Sequence, residues 1–191
     1  RTEGTDDPIK PEISQFTYEE VLSTYFPLYP RGSSSGLLEH TVETIEVESK
    51  AMNKTINNIV VLPDGYDEAN AYPVVYLLHG ATGNYRDWTT KSENTKDLAD
   101  QYNVIIVCPD GGFTSWYFDS PVDSTYKYET FVTKELLDYI DSHYSTVKDK
   151  SGRAITGLSM GGHGGLYLGF RHQDIYGAAG SMSGGVDMRP F

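Results

Sequence analysis

The sequence predicts an α/β protein built on a mainly parallel sheet, and three observations carry that expectation. Two continuous apolar runs, Pro73-Val74-Val75-Tyr76-Leu77-Leu78 and Asn103-Val104-Ile105-Ile106-Val107-Cys108-Pro109, have the composition of strands covered on both faces. Segments of helical periodicity alternate with them. The strongest spans residues 125–144, where Tyr128, Phe131, Val132, Leu136, Tyr139 and Ile140 share one stripe. A glycine-rich stretch, Ile155-Thr156-Gly157-Leu158-Ser159-Met160-Gly161-Gly162-His163-Gly164-Gly165, then reads as a short strand turning sharply into a helix. Strands alternating with helices put helices on both faces of the sheet.

The elements follow in order. Residues 1–36 are rich in Pro, Ser, Thr and Asp, with aromatics at Phe16, Tyr18, Tyr25, Phe26 and Tyr29, and are expected to form an extended arm. Val42, Ile45 and Val47 alternate with Glu43, Glu46 and Glu48, the pattern of a half-exposed strand. Residues 56–62 form a second strand, stopped by Pro63-Asp64-Gly65, and the two are expected to pair as an antiparallel hairpin at one sheet edge. Residues 92–102 suit a crossover helix, and residues 151–156 and 178–183 two further short strands. No repeat and no second domain interrupts residues 37–191, which are expected to be one catalytic domain.

Composition excludes several classes of function. A net charge of −12 and a pI near 4.7 argue against nucleic acid as a partner, because phosphate binding rests on Lys and Arg. No run approaches the roughly 18 apolar residues of a membrane span. The single cysteine, Cys108, lies inside an apolar run and is expected to be a small core residue. The chain opens at Arg1 rather than Met, which suggests a secreted or periplasmic protein whose signal peptide has been removed. Asn53-Lys54-Thr55 matches a glycosylation sequon.

The chemistry concentrates on Ser159, the centre of a G-x-S-x-G pattern; the alternative is a glycine-rich turn with an incidental serine. A serine at such an elbow is lifted above the sheet, and the backbone N–H groups of the new helix face an incoming carbonyl. Acyl transfer through serine needs a nucleophile, a base held by an acid, and donors for the oxyanion. Ser159 is the expected nucleophile, and the Met160 N–H one expected donor. The second donor is expected from His79-Gly80-Ala81-Thr82-Gly83-Asn84, directly after the first apolar run, with the Ala81 N–H ahead of Thr82. His79 lies beside that loop and is a candidate to line the pocket. Trp116 and Tyr117 follow the second apolar run and are candidates for an aromatic wall against a sugar or phenolic acyl group; loop packing is the alternative. Trp88 is expected to brace the oxyanion loop, and Asp119 either orients a loop or accepts a substrate hydroxyl.

Four stretches occur together in the order and spacing of one known family. They are Leu77-Leu78-His79-Gly80, Asn84-Tyr85-Arg86-Asp87-Trp88, Ser115-Trp116-Tyr117-Phe118-Asp119-Ser120-Pro121 and Gly157-Leu158-Ser159-Met160-Gly161-Gly162. From residue 39 onward the chain resembles the esterase D family, which includes S-formylglutathione hydrolases, mycobacterial mycolyltransferases and the esterases that remove feruloyl or acetyl groups from xylan. It is most similar to the last branch, to which Ser183-Gly184-Gly185-Val186-Asp187-Met188-Arg189-Pro190-Phe191 adds. The resemblance implies an α/β-hydrolase fold, an acyl-serine intermediate, no metal and no cofactor, and an ester-bearing carbohydrate or small ester as substrate. A truncated or non-catalytic carbohydrate-binding relative, an acyltransferase and a thioesterase are the alternatives, and the oligomeric state is left open.

In this fold the acid and histidine follow the serine. After Ser159 come only His163, His172, Asp174 and Asp187. His163, one turn along the elbow helix, is expected to serve packing or to shape the rim. His172 and Asp174 fall at the far end of that helix, while His40 and His143 are expected on the surface. The resemblance therefore implies that the catalytic acid and histidine lie beyond Phe191.

Overall fold

A computed structural model of the chain describes residues 41–92 and 94–187. The expected arm, its aromatics and His40 lie outside these residues. Six strands form one sheet: β1 (Thr41–Ser49), β2 (Lys54–Leu62), β3 (Val74–Leu78), β4 (Ile105–Pro109), β5 (Arg153–Gly157) and β6 (Ala178–Ala179). Their order is β1-β2-β4-β3-β5-β6. The first hairpin is antiparallel and β2 runs antiparallel to β4, while β3, β4, β5 and β6 are mutually parallel. The expected mixed sheet with an antiparallel N-terminal hairpin is what forms.

Period-two alternation sends successive side chains of the central strands to opposite faces, and both faces are covered. Val74, Tyr76, Leu78, Ile105 and Val107 join one cluster with Phe131, Val132, Leu136, Ile140, Met160 and Leu168. Val75, Leu77, Ile106 and Cys108 join the other with Ala99 and Tyr102. The helices on the first face are α4 (Leu136–His143) and α5 (Met160–Arg171), and the helix on the second is α2 (Thr95–Tyr102), which follows the short α1 (Asp87–Thr90). Cys108 is a core residue as expected, and burial pushes its thiol pKa up. The same periodicity corrects the reading of β1. Ile45 and Val47 face one cluster, whereas Val42, an odd number of residues away, packs against the other.

Two boundaries differ from expectation for local reasons. The long amphipathic stretch becomes helical at α3 (Tyr128–Thr130), not at residue 125, and continues through a π-helical turn, Phe131–Glu135, into α4. Residues 119–127 are diverted into a loop closed by an Asp119–Lys127 bridge. The Asp119 carboxylate accepts from the Thr130 N–H at 3.0 Å, so of its two expected roles it takes the loop-orienting one. The last strand pairs only over Ala178–Ala179, although Met182 bridges Leu158 farther along. Among the described residues no helix is long and apolar enough to cross a membrane.

The helical face is tied together by one carboxylate. Glu129, 9 % exposed, accepts from Tyr167 Oη at 2.8 Å and Arg171 Nε at 2.9 Å, with His172 Nε2 at 2.8 Å. Burial raises its pKa, but these three partners outweigh burial and hold it below its ordinary value. A depressed carboxylate adds stability that is complete above the unfolded-state pKa and lost as pH falls through the folded one. Arg171 is 57 % exposed, so its share is screened. Glu129→Gln is expected to lower the unfolding free energy at pH 7 by about 1–2 kcal/mol. Urea titrations of the two proteins should converge as the pH falls through the folded-state pKa of Glu129, below the ordinary carboxyl range; a gap that persists once the carboxyl is protonated counts against this account.

Candidate active site

At the carboxyl end of β5 the chain turns through Ser159 into α5. Ser159 has φ 56° and ψ −114°, a backbone conformation that an L-residue keeps only when its surroundings enforce it. They do so on both sides. The Ser159 N–H donates to Met182 O at 2.8 Å, and the Leu158 N–H to Leu78 O at 3.2 Å. The flanking glycines are steric necessities. A Cβ on Gly157 would lie 2.5 Å from Leu78 O, and one on Gly161 2.2 Å from the same oxygen and 2.7 Å from His79 O. Ser159 itself is exposed, and its hydroxyl has no hydrogen-bond partner among the described residues.

The loop after β3 lies against this turn: a Cβ built on Gly80 would be 3.6 Å from Ser159 Cβ. Of its two candidate oxyanion donors, the Thr82 N–H is already bonded to Phe113 O at 2.8 Å. The N–H groups of Ala81 and Met160 have no acceptor among the described residues. These are the two N–H groups that the sequence reading names as donors. Trp88 braces the loop as expected, through its indole N–H to Leu78 O at 3.1 Å.

Two expectations about the pocket wall are corrected. Tyr117 is fully buried rather than on the rim. Its ring fills the space left by two glycines, since a Cβ on Gly111 or Gly164 would come within 2.3 Å or 2.5 Å of it, and its hydroxyl donates to His79 O at 3.1 Å. His79, 1 % exposed, likewise lines no open pocket; its Nε2 accepts the Gly111 N–H at 2.8 Å and its Nδ1 meets Gly80 O at 2.7 Å. Asp110 lies 3.9 Å from the His79 ring. Burial raises the Asp110 carboxyl, but hydrogen bonds from the backbone N–H groups of Gly112 and Tyr85 help to hold it below its ordinary value.

Trp116 is half-exposed and meets the His163 ring edge-on at 5.5 Å, so it is the member of the expected pair that reaches the surface. His163 serves packing, as expected: Nδ1 contacts Gly185 O at 2.7 Å, and the ring stacks on Tyr167. His172 is bound to Glu129, and His143 stacks on Tyr139. Asp174 and Asp187 are exposed. The His163 backbone N–H donates to Ser159 O at 2.9 Å, but no described histidine ring is hydrogen-bonded to Ser159. Sequence reasoning did not single out Phe113 and Leu158, exposed large apolar residues at 62 % and 45 %, on the loop after β4 and on the elbow. A bulky apolar residue directly after Gly111-Gly112 was the available signal.

Five of the seven non-glycine residues with positive φ among those described, namely Thr82, Trp116, Tyr117, Ser159 and Ser183, lie in loops at this end of the sheet. Strain of this kind concentrates where a fold must present groups in a set geometry. The Leu78 contact can be tested directly. Alanine favours a helix over glycine by about 1 kcal/mol, yet Gly161→Ala is expected to cost about 2–3 kcal/mol or to prevent folding, because the methyl meets backbone. Gly80→Ala, whose methyl would find only ordinary contacts, should change stability by about 0.5 kcal/mol. Chemical denaturation giving equal losses for the two would contradict this account.

Comparison with known proteins agrees with this geometry. The Esterase family model matches residues 49–190. Esterase Rv1288 of Mycobacterium tuberculosis is 38% identical over 135 residues, which are 68% of this chain and 29% of that protein. Diacylglycerol acyltransferase/mycolyltransferase Ag85B of Mycobacterium leprae is 36% identical over 155 residues, 76% of this chain and 45% of that one. Among solved structures, a ferulic acid esterase superposes with a TM-score of 0.69 at 36% identity, covering 76% of this chain and 61% of the other. The chain thus spans less than two thirds of the length of each of these relatives. With its α/β-hydrolase sheet, its serine elbow and a match across most of its length, the chain belongs to the Esterase family.

Proposed function

We propose that this protein is a serine carboxylesterase that removes feruloyl or acetyl groups from a plant polysaccharide such as xylan. The observation that carries this reading is Ser159: exposed, strained, its hydroxyl without a hydrogen-bond partner among the described residues, and set against the Gly80–Ala81 turn. Ser159 Oγ attacks the ester carbonyl, and a base takes its proton. The N–H groups of Met160 and Ala81 receive the negative oxygen of the tetrahedral intermediate. The proton passes to the departing sugar hydroxyl, leaving an acyl-serine that water hydrolyses by the same steps.

None of the four described histidine rings is hydrogen-bonded to Ser159, so the base and its acid are assigned to residues outside those described. Trp116, with Phe113 and Leu158, supplies an apolar rim for the acyl group or the sugar face. The likeness to a ferulic acid esterase supports a phenolic acyl group. This chemistry calls for no metal or cofactor. A secreted or periplasmic location belongs to the same reading, because a polysaccharide ester is met outside the cytoplasm.

A second reading, acyl transfer to a sugar hydroxyl in place of water, is supported by the likeness to a mycolyltransferase. Ser159→Ala should lower kcat/KM by at least about 10⁴-fold and abolish labelling by a fluorophosphonate. Methyl ferulate, acetylated xylan and p-nitrophenyl acetate assayed side by side identify the acyl group. Equally slow turnover of all three sinks the polysaccharide assignment, and new sugar esters formed when an acceptor is added favour transfer.

A further inference from the structure

The N–H of Ala81 and the C=O of Gly80 are the two ends of one peptide unit. That unit is planar and trans, so whatever fixes the carbonyl direction fixes the N–H in the opposite one. Gly80 O is held by two donors, the Gly83 N–H at 3.1 Å and His79 Nδ1 at 2.7 Å. The remaining ring nitrogen, Nε2, lies 2.8 Å from the Gly111 N–H. A backbone amide can only donate, so Nε2 carries a lone pair and the ring proton resides on Nδ1, facing Gly80 O. The preceding peptide is held as well, by Tyr117 Oη on His79 O at 3.1 Å. Burial of the ring, 1 % exposed, shields the arrangement from competing water.

We infer that His79 is a positioning residue for the oxyanion site. Anchored at Nε2 by the loop after β4, it grips the Gly80 carbonyl through Nδ1–H and so aims the Ala81 N–H at the oxygen that becomes negative when Ser159 attacks. The role rests on the proposed use of Ala81 as an oxyanion donor. It explains why an imidazole fits this buried position: two polar ring atoms of opposite character are needed on one rigid frame. Phenylalanine would leave both the Gly111 N–H and one side of Gly80 O without a partner.

Two substitutions separate the ring's two ends. His79→Asn keeps an N–H donor near the Nδ1 position, whereas His79→Gln moves its amide out to the Nε2 position and leaves Gly80 O to Gly83 alone. With p-nitrophenyl acetate, His79→Gln should lower kcat at least about tenfold with KM within about twofold, and His79→Asn should recover kcat to within about threefold of the wild type. Equal kcat losses in the two variants, or a loss confined to KM, overturn the inference. Nitrogen-15 NMR of the wild-type ring provides a readout independent of turnover: the proton should be on Nδ1, and a proton on Nε2 overturns the inference whether or not the variants fold. If the wild type hydrolyses no ester, the esterase reading fails. The Ala81 amide resonance then decides: it should move in His79→Gln and stay in His79→Asn, and an unmoved resonance in both overturns the role.

Discussion

The carbonyl group of Leu78 is the point on which this site depends. At the end of β3 it accepts the Leu158 N–H and the Trp88 indole N–H, and the backbones of Gly157 and Gly161 press directly against it. Three elements thereby reach a separation that no side chain larger than hydrogen permits. With β3, β5 and α5 locked so closely, the reversal between β5 and α5 is confined to a few atoms of space. Ser159 absorbs the misfit in its own φ and ψ. The strain at Ser159 is thus a consequence of packing enforced one residue at a time.

The same logic extends to the neighbouring loops. Trp116 and Tyr117 both hold positive φ, which two consecutive bulky residues adopt only under constraint. The constraint is the Tyr117 ring, wedged between Gly111 on one loop and Gly164 on α5 and tied to the His79 carbonyl. Ser115 adds a further tie by accepting the Tyr117 N–H at 3.0 Å. Burying one aromatic ring turns its neighbour outward beside His163. The loop after β3, the loop after β4 and the elbow helix are consequently one connected body, not three independent elements.

Away from the site, the fold rests on more ordinary forces. Alternating apolar side chains on β3 and β4 give two cores, one on each side of the sheet. Glu129 closes the helical face by gathering Tyr167, Arg171 and His172 at the end of α5 farther from Ser159. Glu135 holds the tip of the first hairpin through Ser49 Oγ at 2.6 Å and the Ala51 N–H at 2.9 Å. These carboxylates tie the edges of the domain, and the elbow rests on the apolar centre between them.

Much of this was legible in the sequence, for identifiable reasons. Period-two and period-3.6 patterns are local properties of the chain, so the central strands, the long helix and the α/β class could be read from residue order. The G-x-S-x-G turn is also local, and it marked Ser159 and Met160. The loop after β3 was found because it directly follows a strongly apolar strand. Side chains whose neighbours come from distant segments were beyond such reading. Tyr117 and His79 looked like pocket walls, yet both are internal supports, because Gly111, Gly164 and Gly80 surround them only once the chain has folded. The physical reason for placing Ala81 ahead of Thr82, the Phe113 carbonyl that occupies the Thr82 N–H, comes from a distant loop. The sequence by itself determined which residues make the strands, the helices and the serine elbow. Only the tertiary structure decided which polar groups around that serine are already bonded and which remain free for a substrate, because a hydrogen bond depends on where two separate segments meet.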